Sequence, residues 1–187
     1  LVLLAALVVP AIPAAAQPAA VTIAVDLTRT VGPYAPLYAW FGYDEANYTT
    51  MRDGKQLLRT LRDLSPVPVQ IRVHHLFSSG DGVAALKWSS TNVYTEDARG
   101  RPVYDFTILD AIFDEFKAAG VVPMVELGFM PKALTSGTQP YEDRYPDFST
   151  GGSVHNPPKD YAKWQELNRV VTAHLVERYG RATVATW

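Results

Sequence analysis

A glutamate and an aromatic residue stand where a short apolar segment of this chain ends. Residues 121–127 read VVPMVEL between Gly120 and Gly128, with Glu126 near the end of the run and Phe129 just beyond it. A short run that is apolar on both faces is typical of a parallel strand covered by helices. In α/β folds, functional side chains gather at the carboxyl ends of such strands. The sequence therefore predicts a site that includes this carboxylate and this ring.

The preceding apolar segment, residues 67–73, also ends in polar groups. It contains Arg72 and is followed directly by His74 and His75. His74 could belong to a site or could be a loop histidine bonded to the backbone. Arg72 could belong to the same site or form a buried ion pair with Glu126, since buried charges need partners. Because neighbouring residues of a strand point to opposite faces, we expect His74 and His75 not to share a metal ion.

Strands and helices are predicted to alternate along the chain. Strands are predicted over 21–27, 37–42, 67–73 and 121–127, and a further apolar run begins at 183–187; helices are predicted over 55–64, from Asp105 or Thr107 to Gly120, and from Pro157-Pro158 to Gly180. The strand over 21–27 is half-buried and could lie outside the main sheet. The alternation of the others predicts right-handed βαβ units and a parallel sheet. Both an open doubly wound sheet and a (β/α)8 barrel fit this order.

The motifs and loop lengths favour the barrel. The chain has no GxGxxG after its first strand and no GxxxxGK[ST], which weakens the case for a nucleotide-binding open sheet. The long loops follow strands and the short turns follow helices, which places the site at the carboxyl face of a barrel. Trp88, Tyr94 and Tyr104 predict an ordered structure for the long loop 76–104, since disordered segments are poor in aromatic residues.

Composition excludes several classes of protein. The chain has 187 residues, of which 48% are hydrophobic and 19% charged, and its net charge is −2. These values suit one globular domain and argue against a nucleic-acid partner. The chain has 0 cysteines, which excludes disulfides and thiolate chemistry. Asn47-Tyr48-Thr49 is an acceptor pattern for N-glycosylation.

The first residues predict export. Residues 1–12 are apolar and of signal-peptide length, and Ala14-Ala15-Ala16 fits a cleavage site. We therefore expect a signal peptide over 1–16, a domain over 17–187, and a secreted or periplasmic protein without a membrane partner after cleavage. The alternative, an uncleaved anchor, is disfavoured by Pro10 and Pro13.

Four segments carry long motifs in a fixed order. They are IRVHHLFSSGDG (71–82), NVYTEDARGRPVYDFTILDAIFDEF (92–116), VELGFMPKALTSGT (125–138) and PPKDYAKWQELNRVV (157–171). Together they resemble glycoside hydrolase family 39, which contains β-xylosidases and α-L-iduronidases, and the xylosidase branch is the closer match. The resemblance extends from about Leu37 to Trp187.

The resemblance implies a (β/α)8 barrel and retaining cleavage of glycosidic bonds by two glutamates. One is the acid/base of an Asn-Glu-Pro phrase that ends strand four, and the other is the nucleophile that ends strand seven. This sequence contains neither, so we expect it to cover three βα units and the start of strand four, and to be inactive as a fragment. The implied substrate is a xylo-oligosaccharide or another glycoside, with no metal or organic cofactor.

The resemblance also assigns site residues. His74 matches a histidine that contacts sugar hydroxyls, and Arg72 matches an arginine that would keep the nucleophile ionised. Phe129 and Glu126 match the end of strand three, where an aromatic wall and a polar support are expected. Asp44 and the glutamate after it could line the rim or be solvated. The alternatives are a non-catalytic carbohydrate-binding protein on the same scaffold, an α-L-iduronidase-like hydrolase and an unrelated barrel enzyme.

Overall fold

The computed structural model describes residues 21–137 and 156–187, so the predicted signal peptide lies outside the described residues. Contacts divide the chain into two units, 1–34 and 35–187. In the first unit, residues 21–34 form neither strand nor helix, and the predicted strand over 21–27 is wrong. Its apolar side chains are exposed, so the alternating pattern lacks the buried face that stabilises a strand. None of the described helices is both long and apolar enough to cross a membrane.

The second unit is an α/β structure. Its strands are β1 (Trp40–Tyr43), β2 (Gln70–Val73), β3 (Tyr94–Glu96), β4 (Pro102–Tyr104) and β5 (Val122–Val125); its helices are α1 (Arg52–Leu64), α2 (Thr107–Ala119), α3 (Tyr161–Tyr179) and α4 (Arg181–Val184), with short 3₁₀ turns at Leu37–Ala39 and Ala46–Thr50. β1, β2 and β5 form a parallel sheet in that order, and β3 and β4 form an antiparallel hairpin. The predicted parallel βαβ units are therefore confirmed.

The register of the parallel sheet separates two faces. Gly42, Arg72 and Met124 are paired across the three strands and lie on one face. Phe41 and Ile71 are paired on the other face, and Ile71 is fully buried in the core beneath the helices. Side chains alternate along a strand, so the polar Arg72 is held on the face that the helices do not cover.

Helix ends follow the residues that can cap them. Gly120 ends α2 with a left-handed φ of 71°, as predicted. Asp105 accepts a hydrogen bond of 2.9 Å from the backbone of Thr107 at the start of that helix. The predicted start of α3 at Pro157-Pro158 is wrong. Asp160 caps it instead, because its carboxylate accepts two backbone N–H groups of the first turn.

The predicted start of strand four is also wrong. Residues 181–184 form α4, and the backbone N–H of Val184 donates to Gly180 at 3.1 Å. Trp187 stacks on Phe113 with ring centroids 5.1 Å apart, so it packs on the core rather than extending the sheet. The helical hydrogen bonds and this aromatic contact outweigh the strand preference of Thr and Val.

The long loop after β2 is ordered by a buried polar network and by the β3–β4 hairpin. The side chain of Asn47 is 2% exposed and donates to the carbonyls of Gly82 and Ser90 at 3.0 and 2.9 Å. Because its amide nitrogen is buried and bonded, the glycosylation pattern at Asn47 is not usable in the folded chain. Lys163 of α3 anchors the hairpin by donating to Glu96 and to a backbone carbonyl, each at 2.7 Å.

Candidate functional site

Three polar residues follow directly after the three parallel strands. Asp44 follows β1, His74 follows β2, and Glu126 follows β5. Arg72 of β2 lies between the two acids: its Nε donates to Glu126 Oε1 at 2.7 Å, and its Nη1 is 3.6 Å from Asp44 Oδ1. The carboxyl ends of parallel strands meet at one edge of the sheet, which brings these groups into one cluster.

His74 lies between the same two carboxylates. Its Nδ1 is 3.0 Å from Asp44 Oδ1, and its Nε2 is 3.5 Å from Glu126 Oε2. Nη2 of Arg72 is 3.4 Å from the same Nδ1. We call these four residues, Asp44, Arg72, His74 and Glu126, the strand-end cluster.

Contacts within the strand-end cluster stabilise the charged forms of Asp44 and Arg72. Partial burial acts to raise the pKa of Asp44, but the hydrogen bond from His74 and the nearby positive charges outweigh it, and the pKa lies below its usual value. The hydrogen bond to Glu126 is the main cause of a raised pKa for Arg72. Asp44 is therefore a carboxylate and Arg72 a guanidinium at neutral pH.

Aromatic rings enclose the cluster on one side. The Phe129 ring lies 4.5 Å from that of His74 and 4.7 Å from that of His75 between centroids. Trp88 from the long loop stacks on His75 at 5.5 Å. Burial is the main cause that lowers the pKa of His75 to about 4; the charge of Arg72 acts in the same direction and that of Asp44 in the opposite one. His75 is therefore neutral and forms a buried base beside the cluster.

The two histidines do not point to opposite faces, so the geometric premise of the prediction is wrong; that they do not share a metal ion stays a prediction. β2 ends at Val73, and His75 has a left-handed φ of 60°, which ends the alternation of a strand. The His74 and His75 rings lie 4.8 Å apart, and one ligand atom from each, together with one from Asp44, falls within 4.8 Å of the others. Two imidazoles and a carboxylate are a plausible donor set for a cation, but the guanidinium of Arg72 adjoins the same atoms and repels one.

The structure brings together all four residues that the sequence predicted for the site, His74, Arg72, Glu126 and Phe129. It also forms an ion pair between Arg72 and Glu126, which the sequence predicts as the alternative to a place for Arg72 in the site. The two roles are compatible, because the ion pair lies within the site. That these residues bind substrate stays a prediction. The sequence predicts for Asp44 only a place at the rim or in solvent, although its position directly after a strand matches those of His74 and Glu126.

The chain is similar in sequence to two proteins named β-xylosidase. It is 38% identical over 122 residues to one from Geobacillus stearothermophilus, and 37% identical over 84 residues to one from Caldicellulosiruptor saccharolyticus. These matches cover 64% and 45% of this chain but 22% and 16% of the relatives. The chain thus spans less than a quarter of the length of these relatives.

The fold is also similar to solved structures of proteins described as β-xylosidases or GH39 enzymes. A monomeric β-xylosidase from Caulobacter crescentus CB15 superimposes with a TM-score of 0.61 and 27% identity, over 86% of this chain and 29% of that one. The GH39 enzyme from Xanthomonas axonopodis pv. citri superimposes with a TM-score of 0.62 and 28% identity, over 79% of this chain and 25% of that one.

A family model settles the choice of family. The model described as Glycosyl hydrolases family 39 matches residues 21–187, which include all four motifs. An unrelated barrel enzyme is thereby excluded. The chain belongs to glycosyl hydrolase family 39.

Proposed function

We propose that the full-length protein is a retaining glycoside hydrolase that acts as a β-xylosidase on xylo-oligosaccharides. The observation that carries the proposal is the strand-end cluster, in which His74 lies between Asp44 and Glu126 beside the ring of Phe129. The names of the similar proteins from Geobacillus and Caldicellulosiruptor support the choice of a xyloside.

The cluster has the chemistry that a sugar needs. Sugar hydroxyls both donate and accept hydrogen bonds, and the cluster offers carboxylate oxygens, an imidazole and a guanidinium within a few ångströms. Phe129 offers an apolar ring face beside these polar groups, and binding sites commonly combine an aromatic wall with a few placed polar groups. We assign the cluster to substrate binding rather than to bond cleavage.

The proposed reaction needs two further carboxyl groups. In retaining glycosidases they lie about 5–5.5 Å apart, one protonating the leaving oxygen and the other forming a covalent glycosyl-enzyme that water then hydrolyses. We propose that both are glutamates beyond Trp187, as the family motifs imply. Glu126 is already held by Arg72 at 2.7 Å, which suits a supporting role better than nucleophilic attack. The positive charge of Arg72 would keep a neighbouring nucleophile ionised.

We further propose a (β/α)8 barrel and an exported protein. β1, β2 and β5 would be the first three barrel strands, since they are parallel, neighbour one another in the sheet in the order in which the chain reaches them, and are each followed by a helix. The apolar run over 1–12 and the small residues after it support a signal peptide over 1–16 and a secreted or periplasmic location.

Hydrolysis of 4-nitrophenyl β-D-xylopyranoside by the full-length protein tests the function. We expect cleavage, with the β-anomer of xylose formed first in a ¹H NMR time course, and no cleavage of an aryl α-L-iduronide. The variant His74→Ala should lose at least tenfold in kcat/KM, as expected for one lost substrate hydrogen bond of about 1.4 kcal/mol. His174→Ala is the matched control, because His174 lies on α3 and pairs with Asp110.

Each other outcome contradicts a specific part of the proposal. Binding of xylo-oligosaccharides without cleavage would favour the carbohydrate-binding alternative. Cleavage of the iduronide instead of the xyloside would identify the other branch of the family. An α-anomer as first product would exclude the retaining mechanism.

A further inference from the structure

Each nitrogen of the His74 ring has a charged neighbour. Nδ1 lies 3.0 Å from Asp44 Oδ1 and 3.4 Å from Arg72 Nη2, and Nε2 lies 3.5 Å from Glu126 Oε2. These neighbours come from β2 and from the segments after β1 and β5. The position of the ring proton therefore decides which contacts are favourable.

Asp44 and Arg72, the two groups near Nδ1 of His74, favour opposite protonation states of that nitrogen. A carboxylate only accepts hydrogen bonds and a guanidinium only donates them, so Asp44 requires a proton on Nδ1 and Arg72 requires a lone pair there. The contact to Asp44 is shorter, and a hydrogen bond to an ionised acceptor is about twice as strong as a neutral one. Arg72 already donates to Glu126 at 2.7 Å. Glu126 also favours a proton on the ring, at Nε2, but its contact is longer, at 3.5 Å against 3.0 Å, and it already accepts from Arg72. In the neutral ring the balance therefore favours a proton on Nδ1, shared with Asp44.

A proton on Nδ1 leaves Nε2 of the neutral ring with a lone pair. Nε2 then faces Glu126 Oε2, so two acceptors lie 3.5 Å apart with no proton between them. Neighbouring hydroxyls of a sugar could satisfy both, since each hydroxyl has one proton to donate. The arrangement is suited to a ligand that brings donors.

We propose that Asp44 is a positioning residue: it holds the proton of His74 on Nδ1, so that Nε2 is presented to the substrate as a hydrogen-bond acceptor. The substrate hydroxyl that meets His74 is then a donor. That this ligand is a sugar rests on the proposed function, whereas the tautomer is a property of the free protein and can be measured without substrate.

His174 provides an internal reference of the opposite kind. Its Nε2, not its Nδ1, lies 2.6 Å from the carboxylate of Asp110. The same reasoning places its proton on Nε2. The two histidines should therefore give opposite patterns in a long-range ¹H–¹⁵N correlation spectrum, which distinguishes protonated from unprotonated ring nitrogens.

The experiment uses the full-length protein labelled with ¹⁵N at histidine, at about pH 8, above the ordinary pKa of the imidazole. The His74 signals are assigned by their loss in His74→Asn. In Asp44→Ala, Arg72 is the nearest group to Nδ1, so we expect the proton to move to Nε2 and towards Glu126. Asp44→Asn keeps a side-chain oxygen that can accept, and the proton should stay on Nδ1.

Kinetics provide a second readout for the same variants. The kcat/KM of Asp44→Ala for the aryl xyloside should fall about tenfold, the equivalent of one hydrogen bond, and that of Asp44→Asn by less than about threefold. If the ¹H–¹⁵N correlations of His174 are unchanged in a variant, that variant is folded.

The inference is overturned by a proton on Nε2 of His74 in the wild type, by a doubly protonated ring at this pH, or by the same tautomer in Asp44→Ala as in the wild type. Failure of the proposed function gives a different result: the tautomers are as expected, but the protein cleaves no xyloside.

Discussion

Gly42 is the residue that leaves space for Arg72. The two are paired across β1 and β2, and a Cβ atom at position 42 would lie 3.1 Å from Cβ and 3.3 Å from Cδ of Arg72. Gly42 lies inside a strand and has no left-handed φ, so alanine fits its backbone conformation. The substitution Gly42→Ala therefore changes little except the space beside the arginine.

The size of the effect follows from the contacts of Arg72. Carbon atoms pack best at about 3.5–4.0 Å, so the new methyl group would displace the arginine by a few tenths of an ångström. That displacement weakens the 2.7 Å hydrogen bond to Glu126. A charge-assisted bond contributes about 1.5–3 kcal/mol, but the Arg72 side chain is 40% exposed, and solvent screening reduces the expected loss to about 1 kcal/mol.

Activity and stability should respond differently. A loss of about 1 kcal/mol in the positioning of the cluster lowers kcat/KM about fivefold. The weakened bond to Glu126 is itself the overpacking cost, about 1 kcal/mol of folding free energy, and alanine in place of glycine in a strand returns about 0.5–1 kcal/mol. We therefore expect the free energy of unfolding of Gly42→Ala to stay within about 0.5 kcal/mol of the wild type.

A double-mutant cycle tests the cause. The kcat/KM for the aryl xyloside and the urea unfolding curve are measured for the wild type, Gly42→Ala, Arg72→Ala and the double variant. Without a guanidinium to displace, Gly42→Ala should have no further effect on activity in the Arg72→Ala background. The reasoning would be refuted by an equal loss in both backgrounds, or by full activity of the single Gly42→Ala variant.

Three further predictions concern stability and use urea unfolding. The pKa of His75 is lowered from 6.5 to about 4, mainly by burial, so the unfolded chain binds a proton below pH 6.5 that the folded chain does not. Stability should fall by up to about 3 kcal/mol from pH 6.5 to 4, and an equal fall in His75→Asn would contradict this. Asn47→Ala leaves the buried carbonyl of Ser90 and the partly buried carbonyl of Gly82 without their donor and should cost about 2–3 kcal/mol. Asn168→Ala, which loses one bond within its own helix, should cost less than about 1 kcal/mol. Lys163→Met removes a hydrogen bond to Glu96 and should cost about 1–2 kcal/mol. Lys159→Met should cost less than about 0.5 kcal/mol, because the Nζ of Lys159 is 4.0 Å from the same carboxylate. Equal costs for the two asparagine variants, or for the two lysine variants, would contradict the stabilising role given to Asn47 or Lys163.

Local patterns in the sequence predicted most of the fold. The helical spacing of apolar residues located α1 and α2, and Gly120 marked the end of α2 because a left-handed φ suits glycine. Errors arose where a local pattern depended on a partner that the sequence does not specify. Residues 21–27 alternate but have no buried face, and residues 183–187 have strand-forming side chains but continue a helical hydrogen-bond series from Gly180.

The candidate site was predictable only in part, because its assembly depends on register. Tyr43, Val73 and Val125 are paired across the sheet, so the residues that follow them, Asp44, His74 and Glu126, emerge at the same level. The rule that strand ends gather function identified His74 and Glu126 but not their alignment with Asp44.

The same register explains why the cluster contains one cation between two acids. Arg72 lies one residue before Val73, on the uncovered face, and is paired with Gly42, where no side chain competes for its space. A slip of one residue in β2 would turn Arg72 into the core and separate it from both carboxylates, because successive side chains of a strand point to opposite faces. The slip is excluded because it would also expose Ile71 and Val73, which are fully buried in the core. Core packing on one side of the sheet thus determines which charges meet on the other.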